Sequence, residues 1–531
     1  MPNPRTGPLS PPHRRSSRLL LPVAAVLAGA LAACGFHPLM LWPLTLAGTA
    51  VLIALVHRAP SPRRAAVSGW LWGVGHFCLG NTWIATAFTY QAQMPPWLGW
   101  IAVFLLSLYL AVFPALAGCA AWLVRGRPAA LVAGFAAAWI VSEWLRGWVF
   151  TGFPWNPLGV AALGGFSRAG LAQVVPWLGT YALSGLVALL AGAWWLAWRS
   201  RRHRLLTALL VAIPVALMLT PEFSPPAPAG TLRFTLVQPG VRQELIDDPA
   251  NFENQFTTTA RLTVAPPAPR PRLVLWPESG VPDYLREGYP AFAYDRTTFA
   301  GSPVLARRRI GAVIGPGSLL LTGAVDLETR GEEIVAARNV VTAVDAAGTI
   351  RAGYAKAHLV PYGEYLPMRP LLTPLGLSRL VPGSLDFWPG PGPRTLDLGP
   401  WGRAGVQVCY EIVFSGAVVD RVHRPDYIFN PSNDGWFGAS GPPQHLAQTR
   451  LRAIEEGLPV LRSTTNGISA VIDAEGRVLQ FLPRPVAGRL DGFVPPARPA
   501  TLFARLGNAL PLSWAALLAL VALLALRQGR R

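Results

Sequence analysis

"AGYAKAHLVPYGEYLP", residues 352–367, holds the only lysine of the chain, Lys356, although Lys and Arg together number 46. Every other basic side chain is therefore arginine, the residue toward which interchangeable surface charges drift in a GC-rich coding background. A single exception asks for a chemical reason. Arginine is a wide planar fork that keeps its proton, whereas lysine is a compact charge on a flexible stem whose pKa responds to burial. Chance retention is the competing explanation, and the neighbours decide between the two.

The 531 residues are 52% hydrophobic and only 14% charged, where soluble domains carry about a quarter charged residues. Apolar stretches near the roughly 20-residue length of a bilayer crossing occur at about 18–34, 38–56, 66–88, 97–124, 129–149, 177–198, 205–221 and 506–526. The expectation is an eight-helix membrane bundle, with seven helices in residues 1–224 and one in residues 504–531. Residues 225–503 form a separate domain.

Charge placement orients the spans, because cytoplasmic loops are enriched in Lys and Arg. Arg14, Arg15 and Arg18 precede the first span, Arg58, Arg63 and Arg64 follow the second, and Arg125 and Arg127 follow the fourth. Arg199, Arg201, Arg202 and Arg204 follow the sixth, and Arg527, Arg530 and Arg531 the last. All of these fall on one side; the opposite loops carry little basic charge beyond Arg146 and Arg168. Both termini are then cytoplasmic and residues 225–503 extracytoplasmic. The net charge of +19 is thereby mainly topological, which removes support for nucleic-acid binding, where basic residues gather in a groove with aromatics. A cleaved signal peptide is the competing reading of "RRSSRLLLPVAAVLAGALAACG"; an uncleaved first helix is favoured because cleavage leaves seven spans.

Residues 225–503 alternate short β-rich runs ending in Gly, Pro, Asn or Asp with helical patterns such as "QHLAQTRLRAIEEG", the signature of an α/β domain. Functional groups in such sheets collect where strands end. Glu278 follows "LVLWP", Lys356 follows "TIRAGYA", and Cys409 follows "AGVQV". A carboxylate, an amine and a thiol suffice for acyl transfer: a base, an oxyanion partner and a nucleophile. Singly, each has an ordinary explanation: surface charge for the first two and a buried structural thiol for Cys409, the only cysteine of this domain. Cys34, Cys78 and Cys119 lie in apolar spans.

"WPES" at 276–279, "YAKAHLVPYGEYLP" at 354–367 and "CYE" at 409–411 resemble the Glu-Lys-Cys triad of the nitrilase superfamily. With the flanking spans and "EWLRGWVFTGFPWNPLG" at 143–159, the whole chain resembles the apolipoprotein N-acyltransferase family. The resemblance implies an αββα sandwich standing on the outer face of a bacterial inner membrane. It also implies transfer of an acyl chain from a phospholipid, typically phosphatidylethanolamine, to the N-terminal amine of a diacylglyceryl-cysteine lipoprotein, without metal or cofactor. Residue by residue, it makes Glu278 the general base, Lys356 the oxyanion stabiliser and Cys409 the nucleophile. Glu364 would orient the lysine, Tyr410 and Glu411 flank the nucleophile, and Trp436 in "NPSNDGWFG" stands near the cysteine strand. Arg146 and Trp148 match the family with no derivable role. The tryptophan many members carry after the first strand of this domain is absent from "VQPGVRQELIDDPANF"; Phe252 is a candidate substitute.

The chemistry fits the residue types. A guanidinium is too wide and too fixed in shape for a site that needs a compact cation, and a buried lysine stays charged only beside carboxylates. The apolar segment 371–390 reads as a lid resting on the bilayer through Phe387 and Trp388, or else as a buried connector. Two other function classes stay open. A membrane-tethered amidase would use the same triad with water attacking the thioester. A transporter or sensor would need ionisable residues along its helices, and the spans offer few beyond Glu143 and His76.

Overall fold

The computed structural model describes residues 16–90, 95–199, 204–219, 230–265, 271–375 and 385–528. Each of the eight apolar stretches contains helix: Ser16–Ala33, Trp42–Arg58, Pro62–Gly80, Leu98–Trp122 in two segments, Pro128–Arg146, Thr180–Arg199, Arg204–Leu219 and Ala509–Arg527. Four of them, Leu98–Trp122, Pro128–Arg146, Thr180–Arg199 and Ala509–Arg527, are long and apolar enough to cross a membrane. Leu20–Ala33, Trp42–Arg58 and Ala208–Leu219 are apolar but shorter, and Pro62–Gly80 carries Arg63 and Arg64 in its first turn.

The bundle packs through small residues, as helices do where hydrocarbon removes the hydrophobic drive to associate. Helices Ser16–Ala33 and Pro62–Gly80 approach so closely that a Cβ on Gly75 would lie 2.0 Å from the Val26 carbonyl oxygen. Leu52, Ile53, Trp72, Leu131, Phe135 and Leu183 fill the centre. Leu27, Leu105, Leu116, Leu517 and Leu520 point outward, exposed, an apolar belt far larger than water-facing surfaces carry.

Two six-stranded sheets follow. The first holds β1 (Arg233–Gln238), β2 (Arg272–Leu275), β3 (Ser318–Arg330), β4 (Glu333–Asp345) and β5 (Ile350–Ala355), with β12 (Gly488–Phe493) closing its edge in the order β12-β1-β2-β3-β4-β5. The second holds β6 (Thr395–Asp397), β7 (Arg403–Val406), β8 (Tyr427–Ser432), β9 (Val460–Thr464), β10 (Ser469–Ile472) and β11 (Val478–Leu482), in the order β11-β10-β9-β8-β7-β6. β1, β2 and β3 run parallel, as do β7, β8 and β9. Their inner faces meet in one core in which Leu236, Leu273, Leu275 and Leu321 oppose Val406, Ile428, Phe429 and Leu461. The strands β6 and β12, TLD and GRLDGF, lack a clear apolar run, as edge strands with little buried face do.

Helices Phe252–Thr263 and Pro303–Ile314 cover the outer face of the first sheet, with Phe256, Ile310 and Ile314 against Val274 and Val344. Helix Gly441–Glu456 covers the second. Leu446 and Ala453 pack toward the sheet, while Ala447, Leu451 and Ile454 belong to the core of the membrane bundle. The helix is therefore buried on all sides, wedged between the αββα sandwich and the bundle.

The expected lid differs in part. Residues 376–384 lie outside the described residues, but Phe387 packs against Ala293, Leu327 and Ala337, and its amide bonds the Glu364 carbonyl at 3.1 Å. It is thus engaged by the domain instead of reaching for a bilayer. Trp388 remains 41% exposed.

Candidate active site

β2 delivers Glu278. Behind it Trp276 is fully buried and bonds Thr263 Oγ1 at 2.8 Å, and the chain then crosses β3 at Gly323. A Cβ there would lie 2.7 Å from the Glu278 Cα, so only glycine lets the segment pass. The Glu278 carbonyl accepts from Thr465 Oγ1 at 2.6 Å. Its carboxylate accepts from the Asn433 amide at 2.8 Å on Oε2 and from Asn339 Nδ2 at 2.8 Å on Oε1.

β5 delivers Lys356, whose amide bonds the Asn339 carbonyl at 2.8 Å. Its Nζ lies 2.9 Å from Glu364 Oε2 and 3.6 Å from Glu278 Oε1. With 1% of its surface exposed, burial works to neutralise the amine. The carboxylates of Glu364 and Glu278, with Cys409, outweigh that and hold its pKa above the ordinary lysine value. The ammonium is therefore fully charged at neutral pH. Glu364 is fixed in turn by the Val360 amide at 2.8 Å on Oε2 and by Asn339 Nδ2 at 3.0 Å on Oε1.

Asn339, from the middle of β4, was not anticipated. Its amide nitrogen donates to both carboxylates, and because both partners only accept, the amide orientation follows from chemistry. The sole sequence signal was a polar residue within "AARNVVTAV".

β7 delivers Cys409 to the first position of a short 3-10 turn, Cys409–Val413, at φ +51°. Such a backbone is uncommon for a side chain with a Cβ and is held only where surroundings over-determine it. Glu411 supplies much of that hold. Its Oε1 accepts from Tyr354 OH at 2.9 Å, the Ala357 amide at 2.7 Å and the His358 amide at 3.0 Å, and its Oε2 from the Val408 amide at 2.8 Å. One carboxylate thus ties the cysteine turn to the lysine loop; burial pushes it up to about 7 against the pull of those amides and of Lys356. Burial and the Glu278 charge push the Cys409 thiol above the ordinary cysteine value, while Lys356 pulls it down. The resting group is a thiol that needs a base.

The remaining expected residues lie at the margins. Tyr410 OH donates to the Gly152 carbonyl at 3.3 Å, and His358 Nε2 lies 2.9 Å from the Thr151 carbonyl, so loop 151–152 of the bundle docks on the site. Arg146 shapes that loop by donating to the carbonyls of Phe153 at 2.9 Å and Trp155 at 2.8 Å; Trp148 is exposed. Trp436 meets the ring of Tyr90 edge-on at 5.8 Å. Phe252 begins the outer helix Phe252–Thr263. The side chain after β1 that reaches the site's loops is Gln243, which accepts from Asn433 Nδ2 at 2.9 Å. Cys409, Asp434 and His445 bring ligand-type atoms within 4.8 Å of one another. Arg462 and Ser432 already occupy the Asp434 oxygens, so a guanidinium stands where a metal would need to bind.

Comparison with known proteins matches the family model described as apolipoprotein N-acyltransferase N-terminal domain over residues 28–193, and that described as carbon-nitrogen hydrolase over residues 236–488. The apolipoprotein N-acyltransferase of Rhodopseudomonas palustris is 33% identical, covering 96% of this chain and 95% of that protein. That of Bradyrhizobium diazoefficiens is 34% identical, covering 95% and 94%. The chain belongs to the apolipoprotein N-acyltransferase family. A crystal structure of an amidase from Nesterenkonia sp. is similar at TM-score 0.33 and 18% identity, over 51% of this chain and 94% of that one. Within the acyltransferase, the first family model spans most of the helical bundle and the second spans both sheets from β1 into β12, so the cluster around Lys356 falls wholly in the carbon-nitrogen hydrolase part.

Proposed function

We propose that the protein transfers a fatty acyl chain from a membrane phospholipid, through a thioester on Cys409, to the N-terminal amine of a diacylglyceryl-cysteine lipoprotein. The observation that carries this reading is the buried cluster in which the Lys356 ammonium sits between Glu364 and Glu278 at 2.9 and 3.6 Å, with the Cys409 turn tied to the lysine loop through Glu411.

In the first half-reaction Glu278 takes the Sγ proton as sulfur attacks the ester carbonyl of the donor, for which phosphatidylethanolamine is the expected lipid. The carbonyl oxygen becomes an oxyanion opposite Lys356. The tetrahedral intermediate collapses, the C–O bond breaks, and the proton on Glu278 passes to the departing lysophospholipid oxygen. In the second half the acceptor amine attacks the thioester and Glu278 removes an N–H proton. The C–S bond then breaks, and the thiolate recovers that proton. Losing an oxyanion partner in sites of this kind costs about 3–4 kcal/mol of barrier.

On this reading both termini are cytoplasmic and residues 225–503 periplasmic, above the inner membrane that holds both lipid substrates. The exposed apolar belt and the one-sided arginines support that arrangement. The test is to incubate the detergent-solubilised protein with acyl-labelled phospholipid alone and look for hydroxylamine-sensitive label on the Cys409 peptide. Label that transfers to a lipopeptide amine on addition supports the reading. Absence of label, label that persists in Cys409→Ala, or release only as free fatty acid overturns it.

A further inference from the structure

Beneath the nucleophile lies a cluster that the acyl-transfer steps above do not use. His445, Asp434 and Arg462 are all fully buried. His445 Nε2 lies 3.1 Å from the backbone carbonyl oxygen of Cys409. A carbonyl only accepts, so this nitrogen carries hydrogen and donates. On the other side of the ring, Nδ1 lies 3.0 Å from Asp434 Oδ1 and 3.0 Å from Arg462 Nη2. Arg462 in turn grips both Asp434 oxygens, at 2.9 and 2.7 Å, and Ser432 Oγ donates to Oδ1 at 2.7 Å. The imidazole is thereby locked in plane by groups from β9 and from the loop after β8.

We infer that His445 is a positioning residue which holds the strained Cys409 turn by its carbonyl and ties that turn to the membrane bundle. The inference rests on the reading of Cys409 as nucleophile. Its mechanical basis is the wedged helix that carries His445. One residue earlier, Gln444 accepts from Trp155 Nε1 at 2.8 Å and donates to the His37 carbonyl at 3.2 Å, and one turn later Gln448 accepts from the Asn156 amide at 3.2 Å. The ring of Trp155 itself lies 5.3 Å from that of His445. Cys409 keeps φ +51° only while its peptide is constrained. Holding its carbonyl fixes ψ at Cys409 and with it the frame from which the Cα–Cβ bond projects, and a 1 Å misplacement of a reacting atom costs about 10²-fold in rate.

Two substitutions separate positioning from core filling. In His445→Gln the side-chain amide nitrogen reaches the place of Nε2 and donates to the Cys409 carbonyl. In His445→Asn the side chain ends near the place of Nδ1, keeping the contact with Asp434 and Arg462 but not that with Cys409. The readouts are the rate at which iodoacetamide alkylates Cys409, followed on its own peptide, the single-turnover acylation rate from labelled phospholipid, and the melting temperature in detergent. His445→Asn is expected to slow both reactions about tenfold or more with a melting temperature within a few degrees of the parent, and His445→Gln to stay within about threefold of the parent rates. Parent-like rates in His445→Asn, equal losses in both variants, or loss of fold in either overturns the inference. Failure of the unaltered protein to take up label removes the acyl-transfer reading but leaves the alkylation comparison intact.

Discussion

Lys356→Arg tests the geometry most directly, because it keeps the charge and changes only its shape. Nζ sits 2.9 Å from one buried carboxylate and 3.6 Å from another, so removing the cation outright, as in Lys356→Met, leaves two uncompensated charges and costs about 3–5 kcal/mol of stability. Arginine avoids most of that. Its planar fork pairs with Glu278 and Glu364 side-on, but its nitrogens are spread over a plane where a compact ammonium has to face both carboxylates and a nascent oxyanion. A displacement of about 1 Å is worth roughly 10² in rate, and complete loss of the oxyanion contact is worth about 3–4 kcal/mol, or 10²–10³. The expectation is therefore an acylation rate lower by about 10²–10³ with a melting temperature within a few degrees of the parent. The assay is single-turnover transfer of label from phospholipid to Cys409, with unfolding followed by tryptophan fluorescence. An arginine variant that acylates within threefold of the parent would refute the reasoning and return the single lysine to chance.

Glu364→Gln removes one counter-charge from Lys356 and is expected to slow acylation more than it raises the KM for phospholipid; equal effects on both would mark a structural role. Asn339→Leu deprives Glu278 and Glu364 of a shared donor, and hydrogen bonds to charged groups are worth about 1.5–3 kcal/mol each. A fall in melting temperature together with a loss of acylation is expected, and a stable, active leucine variant contradicts the bridging role. Asp434 concerns pH. Burial raises its carboxyl, but Arg462 and His445 outweigh burial and hold it below the usual aspartate range. A depressed folded pKa gives stability that is complete above the unfolded value near 3.9 and fades only as pH falls below it. Asp434→Asn is thus expected to melt lower than the parent at pH 7, with the gap narrowing below about pH 4; a constant gap across that range counts against the ion pair.

Helix was legible in the eight apolar stretches because a bilayer crossing demands a long apolar run, and among the described residues four of these helices have the length and apolarity to cross a membrane. That Glu278, Lys356 and Cys409 stand just past strand ends was legible from the apolar runs before them, and the place of Glu364 from the motif it shares with the lysine. Asn339 was not, since a single polar side chain on a long strand reads as a solvent-facing position until its neighbours across the sheet are known. His445, Asp434 and Arg462 were hidden for a related reason. Helix Gly441–Glu456 has apolar positions at Leu446, Ala447, Leu451 and Ile454 and carries Arg450, Arg452, Glu455 and Glu456 among them, the pattern of a helix that turns its charges to water, yet these charges are spent inside. Arg450 donates to the carbonyls of Gly164, Gly165 and Arg168 at 2.8 Å each, and Glu455 accepts from the Thr180 amide at 2.8 Å and Ser415 Oγ at 2.7 Å. Periodicity reports which positions are apolar, and it does not report whether the polar positions between them meet water or buried polar partners.

That helix also decides what can be cut away. Its far side answers to backbone carbonyls and amides that belong to the helical half, so an excised fragment of residues 225–503 would present bare guanidinium and carboxylate groups on a surface shaped for neither water nor lipid. Swapping catalytic halves between relatives meets the same obstacle, because the partners of this helix are spread over the helical half from His37 to Thr180. The two halves are packed through shared buried polar contacts, and the boundary drawn by hydropathy is not a place where the molecule comes apart.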